Sequence, residues 1–280
     1  LGRAAAQAEQ RMEGQGDGRP PVPYALLALG RIGRNECLLA PESEHALVFE
    51  SGDTDGFADR WFASFAGHLG DVLRGATLPA AAGEATDPRW RASLDGWRTS
   101  VNGWIAQPHP PLADIARFVD STFVFGDDEL AGDVLGMARD LLAGAPALLS
   151  AMVPAPARAP SLTADRRIDL ASAGLEPIEG AARVLALAGR VAARATGERL
   201  GEAALHTGLS QATADDLVER HELLLRCVLD QQLADGAAGV ELSYAIDPGR
   251  LDEAARTALT ATLSHVAGIR PVVRMALASI

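Results

Sequence analysis

Apolar residues fall along this chain in two rhythms. Between Tyr24 and Leu29 they form an unbroken run closed by Pro23 and Gly30, a length and punctuation that predict a buried strand. His45-Ala46-Leu47-Val48-Phe49 predicts a second strand. Across 55–73 the spacing changes to three and four, so that Phe57, Trp61, Phe65, Leu69 and Val72 share one helical face. Trp90, Leu94, Trp97, Val101 and Trp104 repeat that spacing and predict another amphipathic helix. Residues 115–125 are apolar and β-branched and read as a third strand carrying Asp120 in its middle, and 127–149 read as helix.

Residues 2–13 predict a short helix, broken by Gly14-Gln15-Gly16-Asp17-Gly18-Arg19-Pro20-Pro21. Three prolines in the seven residues 154–160 forbid helix and predict a stiff linker. Beyond it the strand signal nearly vanishes. Segments 177–194, 213–233 and 248–266 read as helices, the last with Asp247 as capping carboxylate before Pro248. The chain is therefore expected to be an α/β half followed by an all-helical half, with no internal repeat.

Composition narrows the function classes. A length of 280 residues suggests about two domains. With 25 Lys+Arg against 37 Asp+Glu, the net charge of −12 disfavours nucleic acid and anionic membrane surfaces as partners. Every basic residue among the Lys+Arg is arginine. The absence of lysine excludes a P-loop, a Schiff-base enzyme and a kinase-type lysine. Cys37 and Cys227 are the only cysteines, too few for a disulfide framework, and their apolar neighbours predict that both are buried. No apolar run approaches the roughly 18 residues of a membrane span. The opening Leu1-Gly2-Arg3-Ala4 has neither an initiator methionine nor a signal-peptide pattern, and reads as the start of a piece of a longer cytoplasmic protein.

Candidate chemistry clusters after the first two strands. In Gly30-Arg31-Ile32-Gly33-Arg34 a glycine lets backbone approach a phosphate, although an ordinary strand-to-helix turn has the same residues. Glu42-Ser43-Glu44 places two carboxylates on one side of an extended segment, where they fit either Mg²⁺ or a solvated acidic loop. A carboxylate such as Asp120 is costly inside an apolar segment. It must pair with an arginine or join Glu42 and Glu44 around a metal. The histidines are scattered without metal-ligand spacing, and only His45 adjoins the carboxylate pair. Neither Gly-x-Gly-x-x-Gly after a strand nor Gly-x-Ser-x-Gly is present.

Taken in order, these pieces resemble a bacterial signalling family of nucleotidyltransferases related to the uridylyltransferase that modifies the nitrogen regulatory protein. The resemblance runs from Pro20 to Glu36, through Pro88-Arg89-Trp90-Arg91, Asp120 and Gly126-Asp127. It continues through Ile168-Asp169-Leu170, Gly174-Leu175, Pro177-Ile178, the stretch from Gly180 to Leu187, Thr196-Gly197-Glu198-Arg199-Leu200 and Asp247-Pro248. It implies an α/β nucleotidyltransferase-type mixed sheet over residues 1–153, followed by an all-α helical domain over 161–280. It also implies cyclic-nucleotide-binding and cystathionine-β-synthase-type sensor domains upstream of this piece.

By the same resemblance, Glu42, Glu44 and Asp120 are the catalytic Mg²⁺ ligands. Gly30, Arg31, Gly33, Arg34 and Arg89 would bind the nucleotide, with Arg183 as a further candidate. The partners implied are a nucleoside triphosphate and an acceptor, with a protein among the candidates. The chain departs from the family pattern where the chemistry sits. Arg31 replaces a serine, Glu42-Ser43-Glu44-His45 replaces Asp-x-Asp-Asn, and Thr122 stands where an arginine is common. Each added methylene displaces a carboxylate by about 1 Å, a misplacement that can cost roughly 10²-fold. Arg31 either clamps a phosphate or sits on Glu42 or Glu44 and excludes metal. Active nucleotidyl transfer, a catalytically inactive nucleotide-sensing or protein-binding pseudoenzyme, and a helical adaptor all remain open on the sequence.

Overall fold

The computed structural model describes residues 1–40, 43–76, 84–163 and 166–279. They gather into two compact units, Leu1–Cys37 with Pro41–Ala145, and Leu38–Ala40 with Pro146–Ile280. The division falls between Ala145 and Pro146, ahead of the proline-rich stretch.

The first unit is built on a sheet of four strands among the described residues, in the order β3-β2-β1-β4. Strands β1 (Tyr24–Ala28) and β2 (His45–Phe49) pair antiparallel, with Leu26 opposite Leu47 and Ala28 opposite His45. β4 (Thr122–Gly126) adds antiparallel to β1, and the short β3 (Arg91–Ser93) adds parallel to β2, so the sheet is mixed as the sequence implies. Every residue of β1 and β2 is buried. That follows from cover on both faces, which favours continuous apolar runs over alternation.

One face packs on α1 (Gly2–Gln15) and α3 (Phe57–Gly75): Tyr24, Leu26, Leu47 and Phe49 meet Met12, Phe62, Phe65 and Leu69. Phe49 stacks on Phe62 with ring centroids 4.9 Å apart. The other face packs on α4 (Leu94–Ala106) and α6 (Asp128–Ala143). There Trp97 donates its indole N–H to Leu47 O at 2.9 Å and stacks on Phe118 of α5 (Leu112–Val119) at 4.3 Å.

Three sequence expectations are corrected. Segment 115–125 is not one strand: α5 ends at Val119, and Asp120 sits at the helix-to-strand junction before β4. Only Thr122 and Val124 of the β-branched residues belong to β4, while Ile115 and Phe118 are the buried stripe of an amphipathic helix. Trp90 also lies outside α4, in a 3₁₀ turn, Pro88–Trp90, capped by Asp87. Its spacing to Trp97 matches a helical period but Arg91–Ser93 intervenes as strand. Neither cysteine is buried, since Cys37 is exposed and Cys227 half-buried.

The second unit is largely helical. After α7 (Pro146–Met152), the proline-rich stretch has no regular structure. A two-stranded ladder of β5 (Ile168–Asp169) and β6 (Ala245–Ile246) closes it at one point. Helices α8 (Glu176–Ala188), α9 (Thr196–His206), α10 (Gln211–Ala237), α11 (Glu253–Ala267) and α12 (Ile269–Leu277) supply the core, with Leu175, Ile178, Leu185, Leu224, Leu263 and Val273 buried in it. A wide turn over Ala171–Leu175 leads into α8, and a Cβ on Gly174 there would stand 2.7 Å from Leu224 Cδ1, so Leu224 would have to shift to admit it. Gln232, fully buried on α10, donates to Ser243 O at 3.0 Å and accepts from Leu39 N at 2.9 Å. Asp235 receives two bonds from Arg167 at 2.7 Å, and these hold its carboxyl below the ordinary carboxylate range. Among the described residues, no single helix is long and apolar enough to cross a membrane.

Candidate functional site

The glycine turn after β1 sets the geometry of the candidate site. The single helical turn α2 (Gly30–Gly33) starts at Gly30, whose φ of +60° is in the left-handed region that favours glycine. Leu29 N donates to Glu44 O at 3.0 Å, which extends the β1–β2 ladder and brings Glu44 beside the turn. A Cβ on Gly30 would come within 2.5 Å of Glu44 Oε2, so this carboxylate lies directly over the bare Gly30 backbone. A Cβ on Gly33 would fall on the Asp120 carbonyl oxygen and stand 2.8 Å from Ala28 O. The two glycines are thus close-approach positions, one for Glu44 and one for Asp120.

Arginines then meet the carboxylates. Arg34, buried at the end of α2, donates from Nη1 to Asp120 Oδ2 at 2.5 Å and from Nε to Glu36 Oε2 at 2.7 Å. Asp120 thus has an arginine partner, as one of its two sequence readings expects. Glu44, also buried, receives Arg117 Nε at 2.8 Å. Arg117 also donates to Asp114 Oδ1 at 3.0 Å. Asp114 is reached in turn by Arg89 Nη1 at 3.2 Å, and Arg89 is held by Asp87 at 2.7 Å. The Arg89 hydrogen bond keeps the Asp87 carboxyl below its ordinary value. A relay of alternating charge therefore runs Glu44, Arg117, Asp114, Arg89, Asp87.

Of the residues singled out from the sequence, Gly30, Gly33, Arg34, Glu44 and Asp120 come together around α2. Arg31 is half-buried on the same turn. Arg89 is exposed and joins through Asp114. Arg183 lies on α8 in the second unit. Glu42 lies outside the described residues. His45 is fully buried on the α1–α3 face of the sheet, the side opposite that of Leu27 and Ala46. Its Nδ1 donates to Ser43 O at 2.6 Å, and burial lowers the pKa of the ring.

Sequence reasoning missed Arg117 and Asp114. The signal was available: Asp114-x-x-Arg117 is an i, i+3 pair, and Ile115 with Phe118 defines the buried side of a helix. Reading the segment as a strand hid it.

Mg²⁺ seeks carboxylate oxygens in near-octahedral array and keeps waters and phosphates in its other positions. Here Glu44 and Asp120 each already carry a guanidinium, so an entering cation would meet like charge beside either one. Among the described residues, neither belongs to a set of three His, Cys, Asp or Glu side chains close enough to share an ion. As arranged, the described residues do not fit the metal that the sequence implies.

Comparison with known protein families covers both units. A family model described as putative nucleotidyltransferase DUF294 matches residues 1–111. A second, described as putative nucleotidyltransferase substrate binding domain, DUF294_C, matches residues 139–277. No curated protein matches the chain. A mixed sheet with the glycine turn in the first stretch and a helical unit in the second agree with both matches. The chain belongs to the DUF294 nucleotidyltransferase family, with a DUF294_C substrate-binding domain after the nucleotidyltransferase domain.

Proposed function

We propose that this protein is a nucleotide-sensing member of that family, which binds a nucleoside triphosphate at the glycine turn without transferring its nucleotidyl group. The observation that carries the reading is the internal neutralisation of both described carboxylates, Glu44 by Arg117 and Asp120 by Arg34. Transfer of a nucleoside monophosphate requires charge stabilisation around the α-phosphate, which a divalent cation normally supplies. Carboxylates committed to guanidinium groups are poorly placed to hold one. The glycine turn, by contrast, keeps its left-handed Gly30, and Arg31, Arg34 and Arg117 gather on or beside it within a chain of net charge −12.

In this reading the first unit, together with the helical unit matched as substrate-binding, acts in signal transduction by reporting nucleotide occupancy. A second reading, Mg²⁺-dependent transfer to an acceptor such as a protein, is favoured by the retained glycine turn, with Glu44 lying over it as a catalytic carboxylate would. The two are separated by measuring saturable binding and pyrophosphate release with each of the four nucleoside triphosphates in Mg²⁺. The proposal expects binding of at least one triphosphate and no pyrophosphate above background. Catalytic turnover would establish the second reading instead, and no binding at all would leave a purely structural adaptor.

A further inference from the structure

Arg117 is the partly exposed arginine that holds Glu44. Its side chain is 28% exposed, whereas those of Arg34, Glu44 and Asp120 are all under one-tenth exposed. Its orientation is fixed twice, by Glu44 Oε1 at 2.8 Å and by Asp114 Oδ1 at 3.0 Å. Asp114 is itself tethered by Arg89, and the neighbouring Phe118 is locked in a stack on the buried Trp97. A guanidinium has five N–H donors in a planar fork. The two contacts come from Nε and Nη1, and among the described residues Nη2 donates to no protein atom. The carboxylate that Arg117 grips through Oε1 is the one whose Oε2 lies over Gly30, so Arg117 and the glycine turn flank the same carboxylate.

We propose that Arg117 is the phosphate ligand of this site. Its guanidinium takes the place of a divalent cation beside Glu44 and donates through Nη2 to a phosphate oxygen of a metal-free nucleoside triphosphate. The planar fork suits phosphate geometry, and a guanidinium already held by two carboxylates loses little freedom on binding. Arg117 therefore supplies in fixed form the positive charge that a metal supplies in exchangeable form. Asp114 is a positioning residue: it touches no ligand and sets the angle of the fork.

The inference rests on the reading that the chain binds a triphosphate, and its test separates the two. Calorimetric titrations in EDTA compare the parent chain with Arg117→Gln, Arg117→Lys and Asp114→Asn, using a nucleoside triphosphate and, in parallel, inorganic tripolyphosphate. Loss of one charge-assisted contact predicts affinity about 10- to 100-fold weaker for Arg117→Gln. Arg117→Lys, which keeps the charge and loses the fork, should fall between it and the parent. Asp114→Asn should weaken binding a few-fold with both probes, and this partly exposed position carries the test if Arg117→Gln unfolds. Equal affinity of the parent and a folded Arg117→Gln overturns the role of Arg117 while leaving triphosphate binding intact. A parent that binds neither probe removes both the inference and the reading beneath it.

Discussion

Arg34 and Asp120 are 86 positions apart in sequence and meet in a buried ion pair, Nη1 to Oδ2 at 2.5 Å, with side chains 2% and 1% exposed. The pair joins the end of the glycine turn to the junction between α5 and β4. Two charges this deeply buried are tolerated because they are paired, and removing Asp120 leaves the buried Arg34 guanidinium with only part of the carboxylate charge that answers it. Asp120→Ala is therefore expected to lower unfolding stability by about 3–5 kcal/mol. Urea denaturation followed by far-ultraviolet dichroism measures it. A loss below about 1 kcal/mol, the scale of an exposed pair, would show that the pair is solvated.

Gly33 and Gly67 offer a matched contrast. A Cβ at Gly33 would collide with backbone oxygens of Asp120 and Ala28, which cannot swing aside as a side chain can. At Gly67, inside α3, nothing lies within 4 Å. Gly67→Ala should stabilise by about 0.5–1 kcal/mol through helix propensity alone. Gly33→Ala should destabilise strongly and disturb Asp120. Thermal melts of the two variants give opposite signs if α2 sits where described, and the same sign if it does not.

Acid should weaken the fold through His45. Burial, the larger cause, lowers its pKa from 6.5, and the backbone bond to Ser43 only partly opposes this. Nδ1 already donates, and among the described residues Nε2 has no hydrogen-bond partner, so protonation adds a buried donor with no acceptor. The folded chain then binds fewer protons than the unfolded one below about pH 6.5. Stability present above that pH is lost as pH falls, by at most about 1.4 kcal/mol per pH unit. Denaturant midpoints of the parent and of His45→Gln at pH 7.5 and pH 5.5 test the sign. The variant should lose less on acidification, and an equal loss would assign the effect to other groups.

The fold was legible where burial imposes a simple rhythm. β1 and β2 are unbroken apolar runs because both faces of the sheet are covered, and α3 shows its stripe because only one side is. The short elements were not legible. β3 is three residues long and contains Arg91, which a buried bond to Asp59 at 2.7 Å makes tolerable, and no local pattern announces a partner 32 residues away. Helices α9 and α12 were not legible because, at 11 and nine residues, each is too short for a repeated apolar period to stand out.

The site was legible in its glycines and carboxylates, which local sequence constrains. Gly30 and Glu44 meet through a ladder that the two strand runs already imply. The identity of the cation was not legible, because Arg117 reaches Glu44 across 73 positions from a segment that looks like strand. Sequence placed a positive charge at this carboxylate in either of two forms, a metal or Arg31. The structure adds a third, Arg117.

The central claim is that fixed guanidinium groups stand in for a metal. It is tested most directly by comparing the affinity of the parent chain for one nucleoside triphosphate in EDTA with that in saturating Mg²⁺. The account predicts saturable binding in EDTA, with Mg²⁺ leaving the affinity unchanged or weakening it by competing for the phosphates. Binding that appears only when Mg²⁺ is present would contradict it.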